Sequence, residues 1–177
     1  MSPRAPPKRP RRPETSMRAP VVAHLERAGY RVWVDPDGGD YFDVVALRGE
    51  EVALIELKVE DWKGVRRQGV ARRALADWIA VALPTRPRAE RLRASTRGPV
   101  APRLGIWIVG EDGVTVLREP LPLEVPDPES PAGVARARFR SLVLGAARGE
   151  VPEGVRWGSG ARDSVGARRY RLDEFDG

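Results

Sequence analysis

A glutamate and a lysine two positions apart interrupt an otherwise apolar segment of the chain. Residues 51–59 read EVALIELKV, and in an extended strand the side chains of Glu56 and Lys58 point to the same face. The alternate positions, from 53 to 59, are all apolar and belong in a core. A carboxylate and an ammonium group within a hydrophobic strand are costly unless they are paired or bind something. The pattern therefore predicts a functional site.

A second carboxylate joins this pair through the expected pairing of two strands. Gly49 and Glu50 form a two-residue loop that begins with glycine, which favours a type II′ hairpin between residues 42–48 and 51–59. This register places Asp43 directly opposite Glu56, and opposed residues share a face with Cβ atoms about 4.5–5.5 Å apart. A slip of one residue would remove the juxtaposition.

The opposed carboxylates predict a metal site. Two such groups repel each other unless one is protonated or a cation lies between them. Oxygen ligands without histidine or cysteine favour Mg²⁺ or Mn²⁺, so we expect Asp43 and Glu56 to bind the metal together with the backbone carbonyl of Leu57. Lys58 would orient or activate a water, or stabilise negative charge on a phosphate. Asp40 is an alternative first acid, but it precedes the apolar run and would not lie opposite Glu56.

The pattern of Asp43 followed by Glu56-Leu57-Lys58 resembles the PD-(D/E)xK phosphodiesterase superfamily, which includes restriction enzymes, resolvases and repair nucleases. Residues 55–62, 66–84 and 104–109 are similar to an uncharacterised bacterial branch of phosphodiesterases, and the resemblance covers roughly residues 20–118. It implies a restriction-endonuclease-like αβββαβ core, one or two Mg²⁺ ions and hydrolysis of nucleic-acid phosphodiesters. Phe42 stands where the eponymous proline would be.

A helix predicted from Asp61 to about Ala76 carries further candidates. Gln68 lies on the apolar stripe that would face the sheet. Many members of the superfamily have a glutamine on this helix, so the resemblance implies a catalytic supporting role; a polar residue at the edge of the stripe is the alternative. The basic residues of the same helix are candidates for phosphate binding, or form a solvated face. They are Lys63, Arg66, Arg67, Arg72 and Arg73.

The first predicted helix holds two residues of weaker interest. Glu26 is a candidate additional ligand or second-shell carboxylate, as some relatives employ, and an ordinary solvated glutamate is the alternative. His24, the single histidine of the chain, is expected to be a surface or helix-packing residue rather than a base.

The elements that must position these groups follow the order α-β-β-β-α-β and then a hairpin, which predicts an α/β fold with a mixed central sheet. Strands are expected at 30–35, 42–48, 51–59, 78–83, 104–109 and 114–118, a helix from residue 16, and an Arg-rich helix or loop at 85–95. A further helix is expected at about 131–147. Three regions result: a disordered basic arm at 1–15, a nuclease-like core at 16–119, and a Pro-rich link, helix and Arg/Gly-rich tail at 120–177.

Composition narrows the function classes. Lysine and arginine number 31 against 25 acidic residues, a net charge of +6, which suits a nucleic-acid partner; an arginine excess from GC-rich codons is the plainer explanation. The absence of cysteine excludes disulfides, thiolate-bound metals and a thiol nucleophile. No apolar run approaches the ~20 residues that span a bilayer, and no signal peptide is apparent, so a cytoplasmic location is expected.

The sequence thus predicts a Mg²⁺- or Mn²⁺-dependent nuclease, an endonuclease-like phosphodiesterase acting on nucleic acid, with DNA favoured over RNA. Two alternatives remain open: a non-catalytic nucleic-acid-binding module that kept the fold, and an interaction subunit. The C-terminal region could support a homodimer or a larger complex.

Overall fold

The computed structural model describes residues 14–34, 43–59, 74–94 and 103–150 of the 177-residue chain. Most of the basic arm, nearly all of the helix predicted at 61–76 and the tail after residue 150 lie outside these residues. Within them, no helix is long and apolar enough to cross a bilayer.

The described parts of the chain contain three α-helices and six strands. A 3₁₀ turn, Glu14–Met17, leads into the first of three α-helices, which are Arg18–Arg27 (α1), Arg86–Ala94 (α2) and Pro131–Ala147 (α3). The six strands are Arg31–Val34 (β1), Val44–Arg48 (β2), Glu51–Leu57 (β3), Trp78–Leu83 (β4), Gly105–Val109 (β5) and Val114–Arg118 (β6). The 85–95 segment, for which the sequence left helix and loop open, is therefore helical. Residues 74 and 75, near the predicted end of the preceding helix, form a turn.

All six strands form one mixed sheet in sequence order. Strands β1, β2 and β3 pair antiparallel, β3, β4 and β5 pair parallel, and β5 and β6 close an antiparallel hairpin. Parallel neighbours need a crossover of a dozen or more residues. The connections at 58–77 and 84–104 have that length, and the second contains α2. The predicted α/β class with a mixed sheet is confirmed.

The sheet separates two apolar clusters. Val45 and Leu54 face one side, where they belong to the same cluster as Leu92 of α2 and Phe139 of α3. Alternate residues of the same strands face the other side, where Leu25 of α1 packs. Because β3 and β4 are covered on both faces, they read as near-continuous apolar runs. Side chains an even number of positions from Leu54 in β3 therefore lie on the face covered by α2 and α3.

The β2–β3 hairpin has the register predicted from the sequence. Gly49 has φ +60°, a positive value that the first residue of such a loop requires and that glycine adopts without strain. The pairs run from Arg48 opposite Glu51 to Val44 opposite Ile55. One further step along the same register places residue 43 opposite residue 56.

Helix α3 is part of the main core. Ser130 caps it, with Oγ accepting from the Gly133 N–H at 3.0 Å, and proline occupies its first turn. Phe139 and Val143 are buried in the same cluster as the sheet residues. The division at residue 119 stays a prediction; within the described residues, the apolar face of α3 packs with the sheet.

Asp77, just before β4, joins α3 to the start of β3. Its Oδ2 accepts from the Val52 N–H and from Arg140 Nη1, both at 2.7 Å, and its Oδ1 accepts from Arg136 Nη2. Arg136 is 6 % exposed and also donates to the Ala76 carbonyl at 2.7 Å. We call Asp77, Arg136 and Arg140 the Asp77 cluster.

Candidate active site

Asp43 precedes β2 and is tied to β3 by its side chain. Its Oδ2 accepts a hydrogen bond from the Leu57 N–H at 2.7 Å. This contact continues the hairpin beyond the last backbone pair, Val44 with Ile55. The carboxylate is therefore held at the end of β3, beside the tripeptide that the sequence singled out.

Glu56 and Lys58 form an ion pair at the same end of β3. Lys58 Nζ lies 2.7 Å from Glu56 Oε1, and the two side chains are 19 % and 9 % exposed. Removing these charges from water is costly, and their contact offsets part of that cost. With Asp43, this corner of the protein holds two carboxylates and one ammonium group, as the sequence predicted.

The Leu57 backbone points toward Asp43. A strand residue directs its N–H and C=O to the same side, and the Leu57 N–H reaches Asp43. The Leu57 carbonyl is consequently directed to that side as well. The neighbouring Lys58 N–H points the other way, to the Ala82 carbonyl of β4 at 3.0 Å.

The site lies where two parallel strands end. Leu57 pairs with Ala82, so β3 and β4 finish at the same edge of the sheet, and α2 begins three residues after β4. Arg88 of α2 donates to the carbonyl of Val59, the residue next to Lys58. Helix α2 is therefore hydrogen-bonded to the residue directly after the Glu56–Lys58 ion pair.

The donor chemistry at this corner fits a hard divalent cation. Asp43 and Glu56 supply carboxylate oxygens and Leu57 a carbonyl oxygen, which are ligands that Mg²⁺ and Mn²⁺ accept. A carboxylate has about four lone-pair sites, so a hydrogen bond to one oxygen leaves the group able to bind a metal. Across the described residues, no set of three or more histidine, cysteine or acidic side chains is arranged to hold a metal ion. Among the described residues, a metal at this corner would bind to two carboxylates and the main chain.

The other predicted site residues lie either outside the described residues or elsewhere in the fold. Gln68 and the candidate phosphate-binding residues Lys63, Arg66, Arg67, Arg72 and Arg73 lie outside the described residues, as does the alternative acid Asp40. Glu26 is exposed near the end of α1, and α1 packs on the opposite face of the sheet. The structure does not place Glu26 beside Asp43 and Glu56, which we call the acidic pair.

His24 also lies away from the acidic pair, on α1. Its ring packs edge-on against Trp107, with ring centroids 5.0 Å apart. Burial lowers the pKa of His24, and the charge of Arg27 lowers it further. The expectation of a helix-packing residue agrees with these contacts.

Sequence reasoning missed the contribution of α2. It treated the segment as Arg-rich without assigning it a role, because the helix could not be placed relative to Lys58. The available signal was the spacing: arginines at 86, 88, 91 and 93 follow a strand that stops at Pro84. A crossover helix after β4 necessarily starts at the edge where the parallel strand β3 also ends.

Comparison with known proteins supports the fold alone. The sequence matches no protein-family model and no curated protein. A similar solved structure is the SPO1766 protein of unknown function from Silicibacter pomeroyi, with a TM-score of 0.51 and 20 % sequence identity. The similarity covers 81 % of this chain and 97 % of that one.

Proposed function

We propose that this protein is a metal-dependent phosphodiesterase, an endonuclease-like hydrolase of nucleic acid with DNA favoured, built on a restriction-endonuclease-like core. One observation carries the proposal: Asp43, Glu56 and Lys58 meet at one end of β3. The two acids offer oxygen ligands for a divalent metal that can activate water for hydrolysis of a phosphodiester, and the lysine can stabilise the negative charge that develops.

The order of elements supports the same proposal. One helix precedes three antiparallel strands, and the fourth strand pairs parallel to the third after a crossover. This is the order that the resemblance to the PD-(D/E)xK superfamily implies for residues 16–83. The acidic pair lies at the end of the third strand, where that superfamily carries its tripeptide.

In this proposal Asp43 and Glu56 hold the metal with the Leu57 carbonyl. The metal would supply electrophilic stabilisation of charge on the phosphate oxygens. The Leu57 N–H fixes Asp43 by its 2.7 Å hydrogen bond, so the carboxylate needs little reorganisation before it binds a cation. A prepositioned carboxylate lowers the cost of ordering the site.

Lys58 acts on the substrate side of the site. Its ammonium group lies 2.7 Å from Glu56 and carries three donor hydrogens, so it can keep that contact while donating to a water or a phosphate oxygen. Such a donor orients the attacking water and stabilises charge that develops in the transition state. We assign Gln68 a supporting role because it resembles the glutamine that many members of the superfamily carry on this helix.

A non-catalytic nucleic-acid-binding module is the second candidate, and the same contacts favour it in one respect. The Glu56–Lys58 ion pair and the bond from Leu57 to Asp43 compensate these charges within the protein. A fold that had lost its activity could retain the residues for that reason. The two candidates differ in whether the acids are needed for turnover.

Cleavage assays on wild type and Glu56→Gln decide between them. The substrates are single-stranded and duplex DNA and RNA oligonucleotides, each with Mg²⁺ or Mn²⁺ and with EDTA. We expect metal-dependent cleavage by wild type and a loss of at least roughly 10²–10³-fold in Glu56→Gln, the range seen when one charge-stabilising group is removed from an active site. Glu129→Gln, an exposed glutamate on another surface, should cleave like wild type.

Equal residual rates for wild type and Glu56→Gln would overturn the catalytic proposal and leave the binding module. Metal-dependent cleavage of RNA with DNA untouched would retain the enzyme and replace its substrate.

A further inference from the structure

Helix α2 presents an unusually basic surface. Its nine residues contain four arginines and one acid, Glu90. Ala89 and Leu92 are buried against the sheet, whereas Arg86, Arg91 and Arg93 are exposed. Arginine is suited to phosphate because its planar group offers paired donors and is weakly hydrated.

The helix starts at the edge that holds the acidic pair and runs away from it. It follows β4 and precedes β5, which is parallel to β4, so α2 must run back along the sheet. Both α2 and the acidic pair lie on the same face, since Leu92 of α2 and Leu54 of β3 belong to one cluster. The Arg88 bond to the Val59 carbonyl fixes the near end.

A fifth arginine, Arg118, lies on the face of the sheet that α2 covers. Arg118 pairs with Ile106 of β5, opposed residues share a face, and Ile106 belongs to the same apolar cluster as Leu92 of α2. Arg118 donates to the Leu104 carbonyl at 2.8 Å; burial lowers the pKa of Arg118, and the charge of Arg93 lowers it further. Bringing like charges together is unfavourable and is relieved by an anion that binds to both.

Arg86 and Arg93 point in similar directions. They are seven residues apart, which is nearly two turns and about 10 Å along the helix axis. One strand of a nucleic-acid duplex carries a phosphate for about every 3.4 Å of axis, so this distance corresponds to about three nucleotide steps. Arg86 is paired with Glu90 at 3.7 Å, and both side chains are more than half exposed, so the pair is weak and can be exchanged for a phosphate.

We propose that the exposed face of α2, through Arg86 and Arg93 together with Arg118, binds the sugar–phosphate backbone of a nucleic-acid strand and leads it to the acidic pair. The direction of the strand rests on the proposed function; the binding itself does not. Arg88 positions the helix, and Glu90 opposes the partner's charge.

The test is binding of the full chain to a short fluorescein-labelled DNA duplex, measured by fluorescence anisotropy in EDTA between about 50 and 200 mM salt. The test variant is Arg86→Gln with Arg93→Gln. The matched control is Arg27→Gln with Arg138→Gln, which removes the same charge from exposed arginines on α1 and α3. A third variant, Arg86→Lys with Arg93→Lys, retains the charge on α2.

Each lost phosphate contact should lower the slope of log affinity against log salt by up to about 0.9, which amounts to about eightfold in affinity near 0.1 M salt. We therefore expect the α2 glutamine variant to bind roughly 10- to 60-fold more weakly with a shallower slope. The lysine variant should keep most of the wild-type slope. Glu90→Gln should bind DNA more tightly than wild type. Glu129→Gln, its charge-matched control, should gain less affinity than Glu90→Gln.

Equal weakening in the α2 variant and the α1/α3 control would overturn the inference, because it would show a general charge effect. Absence of duplex binding by wild type would overturn it too. The binding assay contains no metal, so weaker DNA binding by the α2 variant supports the inference even if wild type never cleaves. Normal cleavage together with unaltered DNA binding by the α2 variant refutes the inference, while the proposed function stands.

Discussion

Two charged clusters lie at opposite ends of β3, and their composition differs. At the start of the strand, the Asp77 cluster contains one carboxylate, which is paired with two guanidinium groups. At its end, Asp43 and Glu56 supply two carboxylates and Lys58 supplies one ammonium group. Counting these described residues alone, the first cluster has a surplus of positive charge and the second a surplus of negative charge.

The clusters also differ in what they join. Asp77 connects α3 to β3 and β4, and its two arginine partners lie 59 and 63 residues away along the chain. Burial lowers the pKa of Arg136, and Asp77 counters that effect, so the carboxylate keeps a buried cation tolerable. The Leu57–Asp43 hydrogen bond and the Glu56–Lys58 ion pair lie within the hairpin that the β2–β3 ladder already holds. We propose that the first cluster serves the fold and that the second serves ligand binding.

The largest effect on stability is expected from Asp77→Ala. It leaves the guanidinium of Arg136 buried without its carboxylate and removes the acceptor of the Val52 N–H. Breaking a buried ion pair in this way costs about 3–5 kcal/mol. Glu56→Gln should change the free energy of unfolding by less than about 1.5 kcal/mol, because Lys58 reaches solvent and the strand pairing is unchanged.

Urea denaturation of both variants and wild type measures this difference. An equal loss in Asp77→Ala and Glu56→Gln would break the comparison, since both clusters would then serve the fold.

A smaller loss is expected for Arg140→Gln. The guanidinium donates to Asp77 Oδ2 at 2.7 Å and to the Glu50 carbonyl, but its side chain is 23 % exposed and Asp77 keeps Arg136. We expect a loss of about 1.5 kcal/mol in unfolding free energy, the lower end of the range for hydrogen bonds to charged groups, because the side chain is partly exposed. In the double variant with Asp77→Ala the two losses should not add, because the pair shares one interaction. Additive losses would place Arg140 outside the cluster.

Much of the acidic end of β3 could be predicted from the sequence. Alternation of apolar residues assigned Glu56 and Lys58 to one face, and the Gly49 loop set the register that brings Asp43 to them. These are local signals, because strand alternation and turn geometry depend on residues close in sequence. The predicted role of the three residues stays a prediction.

The Asp77 cluster could not be predicted in the same way. Its partners are about 60 residues away, and neither the helical spacing of α3 nor the single aspartate before β4 indicates which elements meet. The sequence therefore assigned α3 to a separate C-terminal region. The Arg88 contact with Val59 was missed for the same reason, since packing of α2 on the sheet determines it.

The smallest effect on stability is expected from His24, a titratable residue that belongs to neither cluster. Its pKa in the folded protein lies below the ordinary value of 6.5, so below about pH 6.5 the unfolded chain binds the proton more readily. Stability should fall as the pH drops through that value and level off below the folded pKa. The His24→Gln variant should lose less unfolding free energy between about pH 7.5 and 5.5. An identical loss in both proteins, measured by urea denaturation, would show that His24 does not contribute.

The most direct test of the central claim, that the acidic surplus at the end of β3 binds a divalent cation, is the melting temperature of wild type and Asp43→Asn across a Mg²⁺ or Mn²⁺ titration. Asparagine keeps an oxygen that can accept from the Leu57 N–H, so the variant should fold like wild type without metal. Wild type should gain stability as the metal rises, by about 2.7 kcal/mol at 100 times the dissociation constant, and Asp43→Asn should gain little. A similar response in both proteins, or none in wild type, would contradict the account.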